Sequence, residues 1–329
     1  MSTDVPLVQV RRIGKLGVAT PLLVPSFSSR GFSDIGDLFN EVVSDLRRSC
    51  LLSAFDLASG ALETELSKAA DIVLVDSGVY ETKAHAVAAD GHTSVPAATA
   101  WTRDMYRAFL PTLPKHANVL VVSFDNYSSL QEQLVRAAED FALCPSAARD
   151  FLMKPSEREC RIVPEEVLGA VVTLQGVDVL GVTEKELGDS LLQRCCTLIR
   201  LRQSLTTAGI SIPVHVFGAI TPGPVLAYFM CGADIFDGLN WLRYVYGPHG
   251  LGYVHDAALE SGHPARPDAQ VVVEAARANI RFLHRLQDGM SQYARGEDLD
   301  VLAGAFPVAR RAFEIAQLAR DTAALSREN

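Results

Sequence analysis

The sequence predicts an α/β protein, a (β/α)8 TIM barrel with a C-terminal helical layer. Three observations carry that prediction. Eight short runs are almost continuously apolar, longer amphipathic stretches separate most of them, and a helical region follows the last. A run rich in Val, Ile, Leu and Phe is how a strand buried on both faces reads. The length, 329 residues, suits one barrel of about 250 residues with additions, or two ordinary domains. A doubly wound open sheet uses the same alternation and stays as the alternative topology. No self-similar period runs through the chain.

The eight strand-like runs fall at 22–27, 50–56, 71–76, 119–125, 161–164, 177–182, 214–218 and 234–237. Helical patterns lie at roughly 33–48, 61–69, 97–110, 128–142, 185–208 and 222–231. In the first, Ser33 suits an N-cap, and Ile35, Leu38, Phe39, Val42, Val43 and Leu46 share one face. The weakest helical pattern, 165–174, has to bridge the fifth and sixth runs. The barrel is therefore expected over about 13–245, an irregular excursion over 246–268, and helices over 269–325 broken near Gly296 and Pro307, all within one domain. The loop 78–97 is long, carries His85 and His92, and would lie at the C-terminal mouth, where barrel sites are built.

Composition excludes several classes. With 48% apolar and 21% charged residues the chain is not a disordered one. No run of about 18 uncharged apolar residues exists, so no membrane helix is expected. The start of the chain has charges at Asp4, Arg11 and Arg12 and no long apolar core, so it does not read as a signal peptide. Six cysteines form no CxxC pair and read as reduced thiols of a cytoplasmic protein, with Cys231 a packing residue late in a helix. A net charge of −9 argues against a generally basic nucleic-acid binder, though a local basic patch is compatible with it. His215, His249, His255 and His263 have no metal-ligand spacing, and there is no Walker loop, no GxGxxG and no nucleophile elbow.

The informative residues are acids that close strand-like runs: Asp56, Asp76, Asp125 and Asp237. In a parallel barrel such positions converge on one mouth. Each also fits the ordinary role of an aspartate that starts a turn or caps a helix. Ser77 and Gly78 follow Asp76, and small residues there would let a flat ligand approach the backbone, with Tyr80 able to stack on it. Gly181 and Glu184 end the sixth run and Gly218 the seventh, while His215 reads as barrel interior. Trp241 and Arg243 follow Asp237, an arrangement that suits a base or a phosphate, although a lone Trp is more often packing.

Taken together, "IGKLGVATPLLVPSF" at 13–27, "VDSGVYE" at 75–81, "VVSFD" at 121–125, "VLGVTE" at 179–184, "HVFGAITP" at 215–222 and "CGADIFDGLNWLR" at 231–243 resemble the tRNA-guanine transglycosylase family. The resemblance covers roughly residues 10–290. It implies a (β/α)8 barrel that exchanges a guanine in nucleic acid for a free 7-deazaguanine base. Under it Asp237 matches the nucleophile, Asp76 the other catalytic acid, Tyr80 the stacking aromatic and Asp125 the base-reading acid. Leu180 and Gly181 match a segment whose backbone reads the base edge, with Glu184 nearby.

Two departures qualify the match. The tRNA enzymes carry a CxCxxC…H zinc site after the eighth strand, whereas 244–267 holds no cysteine, so no metal cofactor is expected. "LQG" at 174–176 resembles the family's Gln-Gly base reader, but Gln175 precedes the sixth run, at the wrong end. The zinc-free pattern and "FDGLNWLR" look more like a DNA-modifying branch than a tRNA enzyme. The expected partners are thus DNA or tRNA, held by Arg243 and by Arg266, Arg277, Arg281 and Arg285, and a homodimer or paralogous partner is also admitted. The competing readings are a non-catalytic partner subunit of such an enzyme and a metal-dependent barrel hydrolase.

Overall fold

A computed structural model describes residues 6–32, 34–82, 86–87, 94–95, 101–115, 118–247, 250–254, 257 and 264–325. Eight strands close into an all-parallel barrel in chain order. They are β1 Leu22–Phe27, β2 Ser49–Ser53, β3 Ile72–Asp76, β4 Val119–Val122, β5 Ala148–Met153, β6 Val179–Thr183, β7 Val214–Phe217 and β8 Ile235–Gly238. Closure is the β8–β1 pairing, with Asp237 opposite Val24. The (β/α)8 topology replaces the open-sheet alternative.

Alternation along each strand divides the core in two. Inward side chains, among them Leu22, Val24, Leu51, Leu74, Leu120, Leu152 and Phe217, fill the barrel. Outward ones, among them Leu23, Phe27, Val73, Val121, Phe151 and Leu180, meet the helical layer. The helices include α1 Ile35–Leu46, α2 Ala54–Ser59, α3 Leu66–Ala69, α4 Arg103–Phe109, α5 Leu130–Phe141, α6 Val171–Leu174, α7 Leu191–Thr207 and α8 Pro222–Met230. In α1 the buried residues Ile35, Phe39, Val42 and Leu46 recur at helical spacing. The Ser33 cap lies outside the described residues. Elsewhere capping hydroxyls do appear: Ser129 accepts from Glu132 N before α5, and Ser190 from Gln193 N before α7.

Three sequence assignments need correction. The fifth strand is Ala148–Met153; the expected run 161–164 lies in irregular chain leading into a 3-10 turn, Pro164–Gly169. β5 escaped notice because Arg149 and Asp150 interrupt its apolar run. The second strand stops at Ser53, and Asp56 lies inside α2. Part of the expected irregular excursion is a hairpin, Tyr244–Gly247 paired with Gly250–Tyr253.

The C-terminal region is helical as expected: α9 Asp268–Ala294, α10 Leu299–Ala305 and α11 Val308–Leu325. Gly296, at φ 101°, separates the first two, and Pro307 the last two. From α9, Gln287 Oε1 accepts from Leu23 N at 3.1 Å, and Asn279 Nδ2 donates to the Trp241 and Tyr244 carbonyls at 2.6 Å each. This helix therefore clamps the chain leaving β8, which fixes one wall of the mouth. No helix among the described residues is long and apolar enough to cross a membrane.

Candidate active site

The strand ends converge on a cavity of about 340 Å³ at the C-terminal mouth. That is at the lower end of the usual range for small-molecule pockets. Asp76, Tyr80, Asp125, Gly218, Asp237 and Arg243 all line it. These are six of the residues singled out from the sequence, drawn from four different strand ends. Barrel closure explains the convergence, since parallel strands present every C-terminal end on one face.

Asp237 points inward from β8 and is 6% exposed. Its Oδ2 accepts from Ser26 Oγ at 2.8 Å, and its Oδ1 from Gly218 N at 3.2 Å. His215 Nε2 lies 3.2 Å from Oδ1. That approach is off the hydrogen-bond axis, so it acts as a charge contact. On the other side of the ring, His215 Nδ1 is 2.7 Å from Asp150 Oδ2. Burial works against an imidazolium here, but the charge and hydrogen bond of Asp150, then Asp237, outweigh it and push the His215 pKa up to about 9. Asp150 itself is raised, first by burial. Phe217 stacks on the ring with centroids 3.8 Å apart and shields the group from water.

Gly181 has its role in this interior cluster. A Cβ there would lie 2.6 Å from Phe217 Cε2 and 2.9 Å from Asp150 Oδ1, so only glycine leaves room for both. Leu180 faces the helical layer and is fully buried. Glu184 also points outward: its Oε1 accepts from Tyr228 at 2.7 Å and meets Arg194 at 3.2 Å. Neither side chain reaches the cavity. Gln175 caps α6, ahead of β6, and is exposed at the opposite end of the barrel.

The Asp76 loop is built by close packing. Gly78, at φ 83°, sits where a Cβ would meet Trp101 Nε1 at 2.8 Å and Phe55 N at 2.9 Å. Trp101 Nε1 donates to the Ser77 carbonyl at 2.8 Å, and Ser77 is fully buried. The arrangement presents Asp76 and Tyr80 to the cavity, with Tyr80 37% exposed. Asp56 is not at the mouth surface: Ser29 N and Oγ donate to it at 2.8 and 2.5 Å.

Two cavity residues carry chemistry that the sequence reading missed. Glu81 is 2% exposed, and its Oε1 accepts from Ser28 Oγ at 2.5 Å. Burial, then the charges of Asp56 and Asp76, push its pKa up to about 7. The "SGVYE" string contains Glu81, and a further acid five residues after Asp76 is the signal available in the sequence. Lys154, 2% exposed, lies 3.4 Å from Asp125 and 3.4 Å from Glu186 and donates to Thr183 Oγ1 at 2.7 Å. Burial opposes its charge, but Asp125 and Glu186 hold its pKa above the ordinary lysine value. Asp125 therefore meets the cavity as half of an ion pair.

Trp241 is fully buried, donates to the Ser26 carbonyl at 3.1 Å and stacks edge-on with Phe27, so it is a packing residue. Arg243 lines the mouth, with its guanidinium 5.7 Å from the Phe32 ring centroid. Of the other arginines, Arg277 pairs with Glu41 and Asp45 of α1, and Arg266 with Glu274. Arg281 and Arg285 are exposed on α9, away from the cavity lining. His85, His92, His249, His255 and His263 lie outside the described residues. Among the described residues, no group of three or more His, Cys, Asp or Glu side chains has a metal-holding arrangement. Comparison of the chain with protein-family models and with curated proteins gives no match.

Proposed function

We propose that the protein is a pentosyltransferase that replaces a guanine in nucleic acid with a 7-deazaguanine. One observation carries this reading: an inward carboxylate, Asp237, shares a small concave cavity with a second acid, Asp76, and an aromatic ring, Tyr80. The motif resemblance supplies the substrate class. In this reading Asp237 attacks the sugar C1′ and the C1′–N9 bond breaks, its electron pair leaving with the guanine. Asp76 delivers the proton the departing base needs. The incoming base then gives its N9 proton to the Asp76 carboxylate, attacks C1′ from the vacated side and expels Asp237, giving net retention as in retaining glycoside hydrolysis. Tyr80 stacks on the base, and Asp125 with its Lys154 partner meets the polar edge.

The target base must leave its stack to reach the cavity, so the polymer is held outside it. Arg243 at the mouth is the side chain assigned to that contact. Of the two polymers DNA is placed first, because a stretch without cysteine, 244–267, stands where the tRNA enzymes carry their zinc module. The test is incubation of the purified protein with labelled guanine or a 7-deazaguanine and, separately, with tRNA and double-stranded DNA. Label is expected in DNA, with binding that weakens as salt rises. Label in tRNA alone reverses the polymer assignment. Label in neither removes the catalytic reading and leaves the partner-subunit one.

A further inference from the structure

We infer that His215, held by Asp150, is a positioning residue that divides the labour of the two Asp237 oxygens, so that Oδ2 forms the bond to sugar and Oδ1 carries the charge. The inference rests on the reading of Asp237 as the nucleophile. Its ground is the asymmetry of the contacts. Oδ1 has the Gly218 N–H at 3.2 Å and the His215 Nε2 at 3.2 Å. Among the described residues, Oδ2 has the Ser26 hydroxyl alone, at 2.8 Å. A carboxylate oxygen has two lone pairs in plane. Two protein groups thus crowd Oδ1, whereas one meets Oδ2, on a carboxylate that lines the cavity.

The chemistry follows from that division. In the first step the Oδ2–C1′ bond forms, the C1′–N9 bond breaks, and Oδ1 becomes the carbonyl oxygen of an ester. In the second step the electron pair of the Oδ2–C1′ bond returns to the carboxylate, and negative charge reappears on Oδ1. The imidazolium charge 3.2 Å away and the Gly218 N–H that already donates to Oδ1 stabilise that charge, which makes Asp237 a better leaving group. Such donors are worth most where water is excluded, and His215 and Asp150 are both 0% exposed.

The His215 charge has an identifiable source. Among the described residues, the charged groups facing it are Asp150 from β5 and Asp237 from β8. Gly181 of β6 presents no side chain, and Phe217 of β7 presents only its ring. Asp150 thus lies beneath the histidine, out of reach of substrate, and acts through it. The imidazolium persists through neutral pH and is lost as pH rises through about 9.

Two measurements test the inference. The first is an NMR titration of protein labelled at histidine Cε1, with the His215 signal assigned by its loss in His215→Gln. A midpoint near 9 is expected. A midpoint at or below the ordinary value of about 6.5 overturns the proposal, and this measurement needs no variant that folds poorly. The second is the pH profile of kcat for base exchange. The alkaline limb should move at least about one pH unit lower in Asp150→Asn, since removing that charge weakens the imidazolium. An unmoved limb in a folded Asp150→Asn protein also overturns it. His215→Gln should lower kcat by about 10²–10³-fold while the KM for base holds, as for the loss of one charge-stabilising donor. If Asp237→Asn retains full exchange, the function reading fails, whatever His215 does. If Asp237→Asn is inactive while the Asp150→Asn limb stays in place, only the present inference fails.

Discussion

Two aspartates at the two ends of one strand meet opposite surroundings. Asp234 and Asp237 are three residues apart in "GADIFDG". Asp234, entering β8 at the closed end of the barrel, lies between Arg11 at 2.7 Å and Arg202 at 2.6 Å, and its Oδ2 also accepts from Val214 N at 2.8 Å. Arg202 spends its remaining donors on the carbonyls of Gly232 and Ile212, at 3.0 and 2.8 Å. All three charged residues are 4% exposed or less. Asp237, at the open end, has a hydroxyl, an amide and a histidine shared with another carboxylate. The contrast teaches how a charge is assigned: one surrounded by full charges of opposite sign builds the fold, and one that lines a cavity is available to react.

The sharpest way to break the comparison is to neutralise each acid in turn. Asp237→Asn should lower base exchange by about 10⁴-fold or more, as for loss of a nucleophile, with the unfolding free energy almost unchanged. A labelled sugar–protein adduct should form in the wild type and be absent in the variant. Full activity in Asp237→Asn would mean that the open-end acid is as structural as the closed-end one. Asp234→Ala should do the reverse. It strands two buried guanidinium groups and should cost about 3–5 kcal/mol in denaturant unfolding. A loss below about 1 kcal/mol would show that the arginines find other partners and that the closed end is not sealed by Asp234.

The two ends were also unequally legible. Strand positions at the mouth were readable because apolar runs ending in Asp are conspicuous, and the barrel rule turns such endings into a cluster. Asp76, Tyr80, Asp125, Gly218, Asp237 and Arg243 accordingly meet at one cavity. What escaped notice was polar side chains inside the barrel. β5 reads "ARDFLM", and Asp150 on its inward face broke the apolar run that marks a buried strand. Without β5, Lys154 and the Asp150–His215 pair could not be placed. The zone 161–164 reads as a strand because Ile162 and Val163 are apolar, yet Val163 is 49% exposed. Glu184 ends a strand run just as Asp76 does, but it turns outward to Tyr228. Strand-end position predicts the end of the barrel, while the face depends on a register that one added residue reverses.

Glu81 sharpens the comparison from the side of stability. Its carboxyl is raised from 4.5 to about 7, by burial first and by the Asp56 and Asp76 charges next, against the opposing hydrogen bond of Ser28. The folded state therefore holds the proton more tightly than the unfolded chain. Its contribution is at its most favourable below about pH 4.5, falls as pH rises towards 7, and stays at its least favourable above that. At 1.36 kcal/mol per unit the penalty is about 3 kcal/mol. Glu81→Gln should remove most of it, raising the unfolding free energy at pH 8 and changing it little at pH 4. Equal effects at the two pH values would show that Glu81 is ionised in the folded protein throughout, with its charge compensated like that of Asp234.

The smallest expected effect separates binding from chemistry at the open end. Tyr80 lines the cavity and is 37% exposed, so truncating it uncovers little core. Stacking of a base on an aromatic ring is worth about 1–3 kcal/mol. Tyr80→Ala should therefore raise the KM for free base by about one to two decades, at 1.4 kcal/mol per decade, and shift the unfolding free energy by less than about 1 kcal/mol. Tyr80→Phe keeps the ring and should keep the KM. A KM that stays at the wild-type value in Tyr80→Ala would show that the base lies elsewhere in the cavity. A fall in kcat with KM unchanged would place Tyr80 beside the reacting atoms, as part of the Asp76 loop's chemistry. A loss of stability above about 2 kcal/mol would make Tyr80 structural, as the closed-end residues are.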